Sequence, residues 1–117
     1  MFKKLIFESR GWPADSEKVV ATIKDENIIL KITKGNVVVS TTKEVTIHSS
    51  VFLKKFDAIN IAAWESDYFN PDILDGESWE LKYYTTNGKV KKFTGSNAYP
   101  ENYYEFMNLI FDDGTNV

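Results

Sequence analysis

The chain has 117 residues, of which 43% are hydrophobic and 15% aromatic, and its formal net charge at pH 7 is −3. This composition predicts a single domain over residues 1–112 with one hydrophobic core, followed by a flexible tail at residues 113–117. The lack of cysteine excludes disulfides, cysteine nucleophiles and the usual structural zinc sites. The acidic balance argues against nucleic acid or an anionic membrane as the partner.

The N-terminal segment begins like a secretion signal, but its apolar run is too short. Two lysines precede three apolar residues, and Glu8 then ends the run, whereas a signal needs roughly 7–15 apolar residues. No run in the sequence approaches the ~20 apolar residues of a membrane span. We therefore expect a cytoplasmic protein.

Four runs rich in β-branched residues predict strands in the first half of the chain. They cover residues 3–10, 19–24, 28–33 and 37–47. The short polar or Gly-containing segments between them favour successive antiparallel hairpins. Trp12 lies in the first connection and is interpreted as a lid over one end of the core. His48 is the only histidine and is expected at the end of a strand, without a catalytic partner.

A helix is predicted to follow the fourth strand. Ser49 or Ser50 can cap its N-terminus. Its apolar stripe consists of Phe52, Leu53, Phe56 and Ile59. Residues 59–64 fit either the end of this helix or a buried extended segment, because a short apolar run does not reveal its period.

Asn87-Gly88 stands between two β-rich runs and predicts a two-residue hairpin turn of type I′, in which both residues have positive φ. Such a turn pairs Thr86 with Lys89, and the alternation of side chains then defines two faces. The predicted core face carries Trp79, Leu81, Tyr83 and Val90. The predicted outer face carries Glu80, Lys82, Tyr84, Lys89, Lys91 and Phe93.

A second helix is predicted to begin at Pro100, whose fixed φ suits the first helical position. Its apolar stripe is Tyr103, Phe106, Met107 and Ile110, and Gly114 offers a stop. The predicted fold is α+β, with an antiparallel sheet of about six strands and two helices packed on one face. The predicted core consists of Leu5, Val20, Ile23, Leu30, Ile32, Val38, Phe52, Phe56, Ile59, Trp64, Trp79, Leu81, Tyr83, Met107 and Ile110.

Residues 64–77 form an acidic segment between the two halves. Its five carboxylates are Glu65, Asp67, Asp72, Asp75 and Glu77. Calcium would need oxygen ligands at alternate positions, which Pro71, Ile73 and Leu74 interrupt, so we expect a solvated loop and no metal. Paired carboxylates could also serve glycoside hydrolysis, but nothing in the sequence fixes their separation. An enzyme would require these carboxylates to converge with His48 in one cleft.

Two further patterns have a binding interpretation. Gly95, Ser96 and Asn97 precede the predicted helix and could form a backbone nest for an anion. Strand-to-helix geometry explains the same residues. Lysines among aromatic residues at 83–93 resemble the elements of single-stranded nucleic-acid binding, but pairing with Glu80 across the sheet explains these charges at least as well.

Part of the sequence resembles a known family. The segments are Trp64-Glu-Ser-Asp-Tyr68, Asp75-Gly-Glu-Ser-Trp79, Asn87-Gly88 and Gly95-Ser-Asn-Ala-Tyr-Pro-Glu-Asn102. They are similar to a small domain of uncharacterised proteins from low-GC Gram-positive bacteria and their mobile elements. The resemblance covers about half of the chain and implies a domain without an assigned activity.

No catalytic constellation, metal site or cofactor site is evident in the sequence, so we expect a non-catalytic protein-interaction module. The resemblance implies that it acts as a mobile-element inhibitor or accessory protein. The alternatives are a small-ligand or anion-binding domain, or a minor enzyme that uses carboxylates of the 65–77 loop. Another protein is the expected partner, because tyrosines beside charges favour interfaces. The predicted partner-binding residues are Glu65, Asp67, Tyr68, Phe69, Asp72, Asp75, Tyr84 and Phe93.

Overall fold

A computed structural model describes residues 2–11, 16–36, 38–70 and 76–111. These residues form an α+β fold with two α-helices, so the predicted class and helix number are confirmed. The helices are α1 (Ser49–Ile59) and α2 (Tyr103–Ile110), and a 3₁₀ turn covers Ile61–Ala63. The strands are β1 (Phe2–Arg10), β2 (Ser16–Lys24), β3 (Asn27–Gly35), β4 (Ser40–His48), β5 (Asp67–Phe69), β6 (Ser78–Thr85) and β7 (Val90–Ser96).

The seven strands found in the described ranges form one mixed sheet in the order β4-β3-β2-β1-β6-β7-β5. All neighbouring pairs are antiparallel except β5 and β7, which are parallel. The prediction of about six strands, all antiparallel, is therefore wrong in its detail. The missed strand, β5, has only three residues and lies in a segment whose carboxylates signal a loop. Its pairing depends on a contact with β7, more than 20 residues later in the chain.

The β6–β7 hairpin forms as predicted, but its register is shifted by one residue. The Thr85 N–H donates to Lys89 O at 2.8 Å, and the Gly88 N–H donates to Thr85 O at 3.1 Å. Within the described ranges Gly88 has a positive φ, of 87°, and Asn87 does not. This is the pattern of a three-residue loop, a type I turn followed by a left-handed Gly, and not of type I′.

The shifted register reverses the faces of β7. Phe93 pairs with Leu81 and is only 6% exposed, whereas Val90 pairs with Tyr84 and is 53% exposed. The predictions that Val90 lies in the core and Phe93 on the outer face are therefore wrong. The physical reason is that side chains alternate with period two, so one extra loop residue moves every side chain of β7 to the other face.

The core lies between one face of the sheet and the two helices. Most of the predicted core residues are buried, and Ile23, Phe56 and Met107 are partly buried against them. Val20 is wrong because β2 turns Val19 and Ala21 inward instead. Val38 is wrong because it lies in the β3–β4 turn, where its N–H donates to Asn36 Oδ1 at 2.8 Å.

The strand residues on the opposite face of the sheet are exposed or half-buried, so we call it the outer face. It presents several lysines, together with Glu8 and Glu80.

Both helices begin differently from the prediction. His48 caps α1, since its Nδ1 accepts a hydrogen bond from the Ser50 N–H at 3.2 Å. The α2 helix begins at Tyr103 and not at Pro100, because Asn102 has a left-handed conformation with φ of 68° that a helix cannot include. The interpretations of Trp12 as a lid, Gly114 as a helix stop and residues 113–117 as a tail lie outside the described residues.

Candidate binding cleft

A cleft of ≈ 550 Å³ opens where the chain passes from β7 into α2. Its walls come from the residue before β6, from the segment before α2 and from α2 itself. The polar and aromatic side chains that line it are Glu77, Tyr99, Glu101, Asn102, Tyr103, Tyr104 and Glu105. No lysine or arginine belongs to the described lining. The cleft is therefore acidic and aromatic, and it has the volume of a typical ligand site.

Two hydrogen bonds fix the backbone of Glu77, one with the side chain of Asn97 and one with its backbone. The Glu77 N–H donates to Asn97 Oδ1 at 2.8 Å, and the Asn97 N–H donates to Glu77 O at 2.9 Å. Asn97 can turn back in this way because it adopts a left-handed conformation with φ of 56°. Gly76 is needed beside this pair, since a Cβ at residue 76 would overlap the Asn97 side chain.

Tyr103 forms the buried wall of the cleft. Its ring lies 4.7 Å from the ring of Tyr99 and 5.4 Å from that of Trp79, centroid to centroid, and the residue is 8% exposed. Its hydroxyl is buried and has no hydrogen-bond partner within the described part of the protein. A buried hydroxyl without a partner lowers the stability of the folded state.

The acidic groups of the cleft influence one another. Burial raises the pKa of Glu77, the negative charge of Glu17 raises it further, and a hydrogen bond from the Tyr99 hydroxyl lowers it. Burial, followed by the charge of Glu77, raises the pKa of both Tyr99 and Tyr103. The Glu17 charge also acts on Tyr103, so the Tyr103 hydroxyl lies within the field of two carboxylates. Tyr99 and Tyr103 are thus neutral at physiological pH, and the described lining supplies no positive charge to compensate Glu77.

The outer face of the sheet differs from the cleft because positive charges lie beside some of its carboxylates. Two of its carboxylates, Glu8 and Glu80, are paired with lysines: Glu8 Oε1 lies 3.2 Å from Lys18 Nζ, and Glu80 contacts Lys82 at 3.3 Å and Lys92 at 3.7 Å. The shifted β7 register places Lys92, and not Lys91, on the outer face beside Glu80. No such pair joins Glu77, Glu101 or Glu105 to any described lysine or arginine.

The predicted partner-binding residues do not form one surface. Asp67 and Phe69 lie on the outer face at the β5 edge, and Phe69 is 66% exposed. Tyr68 packs against the core, where its hydroxyl accepts a hydrogen bond from the Glu65 N–H at 2.9 Å. Tyr84 is half-buried on the outer face.

Glu65 is exposed and lies just before β5. The other three predicted partner-binding residues add nothing to a described surface. Phe93 is buried in the core and is not available to a partner. Asp72 and Asp75 lie outside the described residues.

Among the described residues, the carboxylates of the acidic segment do not converge with His48. His48 ends β4, whereas Glu65 and Asp67 lie at or just before β5, and these two strands are the opposite edges of the sheet with five strands between them. In addition, His48 Nδ1 lies 2.8 Å from Ser50 Oγ, so its ring is used at the start of α1.

The predicted anion nest also has no structural basis. Gly95 and Ser96 are extended residues of β7, and α2 begins six residues after Asn97. The Asn97 N–H already donates to Glu77 O. A carboxylate at this position would repel an anion.

The described ranges contain no group of three or more His, Asp or Glu residues arranged to hold a metal ion. None of their helices is both long enough and apolar enough to cross a bilayer.

Sequence reasoning missed the cleft because its residues were assigned to other roles. Tyr103 was expected in the core stripe of α2, and Glu77 in the acidic loop. The available signal was the segment from Tyr99 to Glu105, which has three tyrosines and two glutamates in seven residues. The sequence of this segment does not show which of its side chains line a cleft, because that depends on the position of Glu77, at the start of the β6–β7 hairpin.

No protein-family model matches this chain, and no curated protein sequence matches it. The function is therefore inferred from the cleft.

Proposed function

We propose that this domain is a non-catalytic protein-interaction module that binds a basic segment of another protein in its acidic and aromatic cleft. The observation that carries the proposal is the contrast between the two sides of the molecule. The outer-face carboxylates Glu8 and Glu80 are neutralised by lysines, whereas Glu77, Glu101 and Glu105 face a cleft without a described cation.

The composition of the cleft supports this function. Tyrosine is enriched among the residues that contribute most to binding energy at protein interfaces. Tyr104 is 82% exposed and Tyr99 is 44% exposed, so both rings are accessible to a partner. The carboxylates around them would attract a basic segment and raise its association rate.

The resemblance to a domain of mobile elements suggests the kind of partner. An acidic module from such an element could act as an inhibitor or accessory protein of a basic protein that handles nucleic acid. In this proposal the module covers the positive surface of its partner, and it does not itself bind nucleic acid.

The proposal can be tested by affinity capture with a charge-reversed variant. We expect the double variant Glu101→Lys/Glu105→Lys to lose partners that the wild-type protein retains, because two attractive contacts become repulsive. The matched control is Glu26→Lys/Glu44→Lys, which changes the net charge equally at exposed positions away from the cleft. Circular dichroism and thermal unfolding should first show that both variants are folded.

Partners retained by the control and lost by the cleft variant would support the proposal. Identical sets of partners for all three proteins would contradict it. Loss of partners in both variants would also contradict it, since net charge and not the cleft would then decide binding.

A further inference from the structure

We propose that β4 pairs with β4 of a second copy of this chain, antiparallel about a two-fold axis at Val45, so that the two sheets join edge to edge in a symmetric dimer. β4 is one edge of the sheet, and three strands lie between it and β6, whose first residue follows Glu77 of the cleft. The proposed dimer therefore uses a surface separate from the cleft, and it goes beyond the proposed function.

The two edges of the described sheet differ in length. β5 has three residues, whereas β4 has nine, and all of β4 pairs with β3 in a continuous register without a bulge. β4 contains no proline or glycine, and in the described ranges β3 is its only strand neighbour. A long, regular edge strand presents a row of backbone N–H and C=O groups that can pair with another strand. The short β5 offers little such backbone, and β4 offers much more.

The hydrogen bonds at the two ends of the β3–β4 ladder show which backbone groups of β4 point away from β3. The Ser49 N–H donates to Glu26 O at 2.8 Å, and the Asn36 N–H donates to Val39 O at 2.9 Å. Hydrogen-bonded pairs alternate along an antiparallel ladder, so the odd-numbered residues of β4 bond to β3. The even-numbered residues within 42–46 therefore direct their N–H and C=O groups to the open edge.

The side chains of β4 select the register of the pair. Opposite residues in an antiparallel pair share a face of the sheet, so the two-fold axis must pass beside one residue. An axis at Val45 brings the two Val45 side chains together on the face that carries the core, and it places Glu44 opposite Thr46 of the second copy on the outer face. An axis at Lys43 or Glu44 would instead oppose two like charges, which destabilises a strand pair. An axis at Thr46 would pair only residues 44–48.

Apolar contacts favour the same register. Val45 and Ile47 are half-buried against the core, so each leaves part of its side chain exposed at the edge. In the proposed dimer Ile47 of the second copy lies opposite Lys43, next to a groove of ≈ 290 Å³ that Lys43 and Phe111 help to line. Association would remove this apolar surface from water. The side chains of Lys43 and Glu44 are exposed and long enough to reach solvent, so their charges remain hydrated in the dimer.

The first test is the oligomeric state of the full chain, measured by sedimentation equilibrium. Because the paired segment is short, we expect a reversible monomer–dimer equilibrium with a dissociation constant on the order of 10–100 µM. Amide hydrogen exchange, followed by NMR spectroscopy, should slow at residues 42, 44 and 46 as the protein concentration rises through this range. A protein that stays monomeric at about 1 mM would contradict the proposal.

Substitutions of Thr46 test the register, because this exposed residue faces Glu44 of the second copy at two symmetric places. Thr46→Glu should weaken dimerisation about tenfold, because it places carboxylates opposite each other. Thr46→Lys should strengthen it about two- to fivefold, because it creates two pairs of opposite charge. Thr86→Glu and Thr86→Lys change the net charge equally in the exposed β6–β7 turn, and salt screening should keep their effect below about twofold.

Cysteine substitutions test the register independently, since the chain has no cysteine of its own. Opposite residues of a non-hydrogen-bonded pair have Cα atoms about 4.5 Å apart, within the roughly 4.4–6.8 Å that a disulfide spans. Val45→Cys should therefore form a disulfide-linked dimer under mild oxidation, and Glu44→Cys should not. Circular dichroism should first show that every variant is folded. Equal dissociation constants for Thr46→Glu and Thr46→Lys would overturn the proposal, as would faster cross-linking of Glu44→Cys than of Val45→Cys.

Discussion

Gly95 lies directly opposite Trp79 in the β6–β7 ladder, and the indole ring occupies the space where a Cβ at residue 95 would stand. The Trp79 Nε1–H donates to Ala98 O at 3.0 Å. This hydrogen bond holds the chain just before Tyr99, so the packing of Trp79 on Gly95 determines where the cleft begins.

Substitution of Gly95 by alanine is expected to destabilise the protein by about 1–3 kcal/mol, because the added methyl group would overlap Trp79 Nε1 and approach Ala98 O. Urea unfolding measures this change. Gly11→Ala is the control, since no atom of the described part of the chain lies within 4 Å of a Cβ added there. An unchanged unfolding free energy for Gly95→Ala would contradict the close packing of Trp79.

The observed β7 register predicts different stability effects for substitutions of Phe93 and Val90. Phe93→Ala should cost about 3–5 kcal/mol, because it would leave a cavity in the core beside Trp64 and Tyr83. Val90→Ala should change stability by less than about 0.5–1 kcal/mol, because Val90 is exposed. Urea unfolding of both variants would decide the register, since the two-residue turn expected from Asn87-Gly88 requires the opposite order of effects.

The fold class could be predicted because it depends on local patterns. Runs rich in β-branched residues identified most of the strands, and the stripe at Phe52, Phe56 and Ile59 identified α1. The position of the hairpin also followed from Asn87-Gly88. Its register did not, because a type I turn with a left-handed Gly and a type I′ turn accept the same two residues.

Features that depend on distant contacts could not be predicted. The β5 strand exists because residues 67–69 meet β7, and nothing in these three residues specifies that pairing. The cleft likewise brings Glu77 to residues 99–105 through Asn97. The helical period placed Tyr103 on the apolar stripe of α2, but it could not show that its hydroxyl would be buried without a partner in the described structure.

The unpaired hydroxyl of Tyr103 leads to a third prediction. Tyr103→Phe should stabilise the protein by about 1 kcal/mol, because it removes a buried polar atom without a partner and keeps the ring contacts. For a domain of this size the melting temperature should rise by about 4 °C. Tyr104→Phe is the matched control and should have no effect, since Tyr104 is 82% exposed. A destabilised Tyr103→Phe protein would show that the hydroxyl makes a favourable contact in the folded state.

The last prediction concerns pH and Glu77. Burial and the Glu17 charge raise the pKa of Glu77 in the folded protein above its ordinary value of 4.5, although the Tyr99 hydroxyl opposes the shift. The folded state therefore binds this proton more tightly than the unfolded state, and stability decreases as pH rises from 4.5 through the raised pKa.

Glu77→Gln should remove this pH dependence of stability. The variant should therefore have a larger unfolding free energy than the wild type at pH 7, and the difference between the two proteins should shrink towards pH 4.5. Urea unfolding between pH 4.5 and 8 checks this, with Glu44→Gln as the control that keeps the wild-type profile. In Glu17→Gln the loss of the neighbouring charge should bring the pKa of Glu77 closer to 4.5. The pH range over which stability decreases should then be narrower than in the wild type. A wild-type profile parallel to that of Glu77→Gln would contradict a raised pKa for Glu77, and would mean that water in the cleft screens its charge.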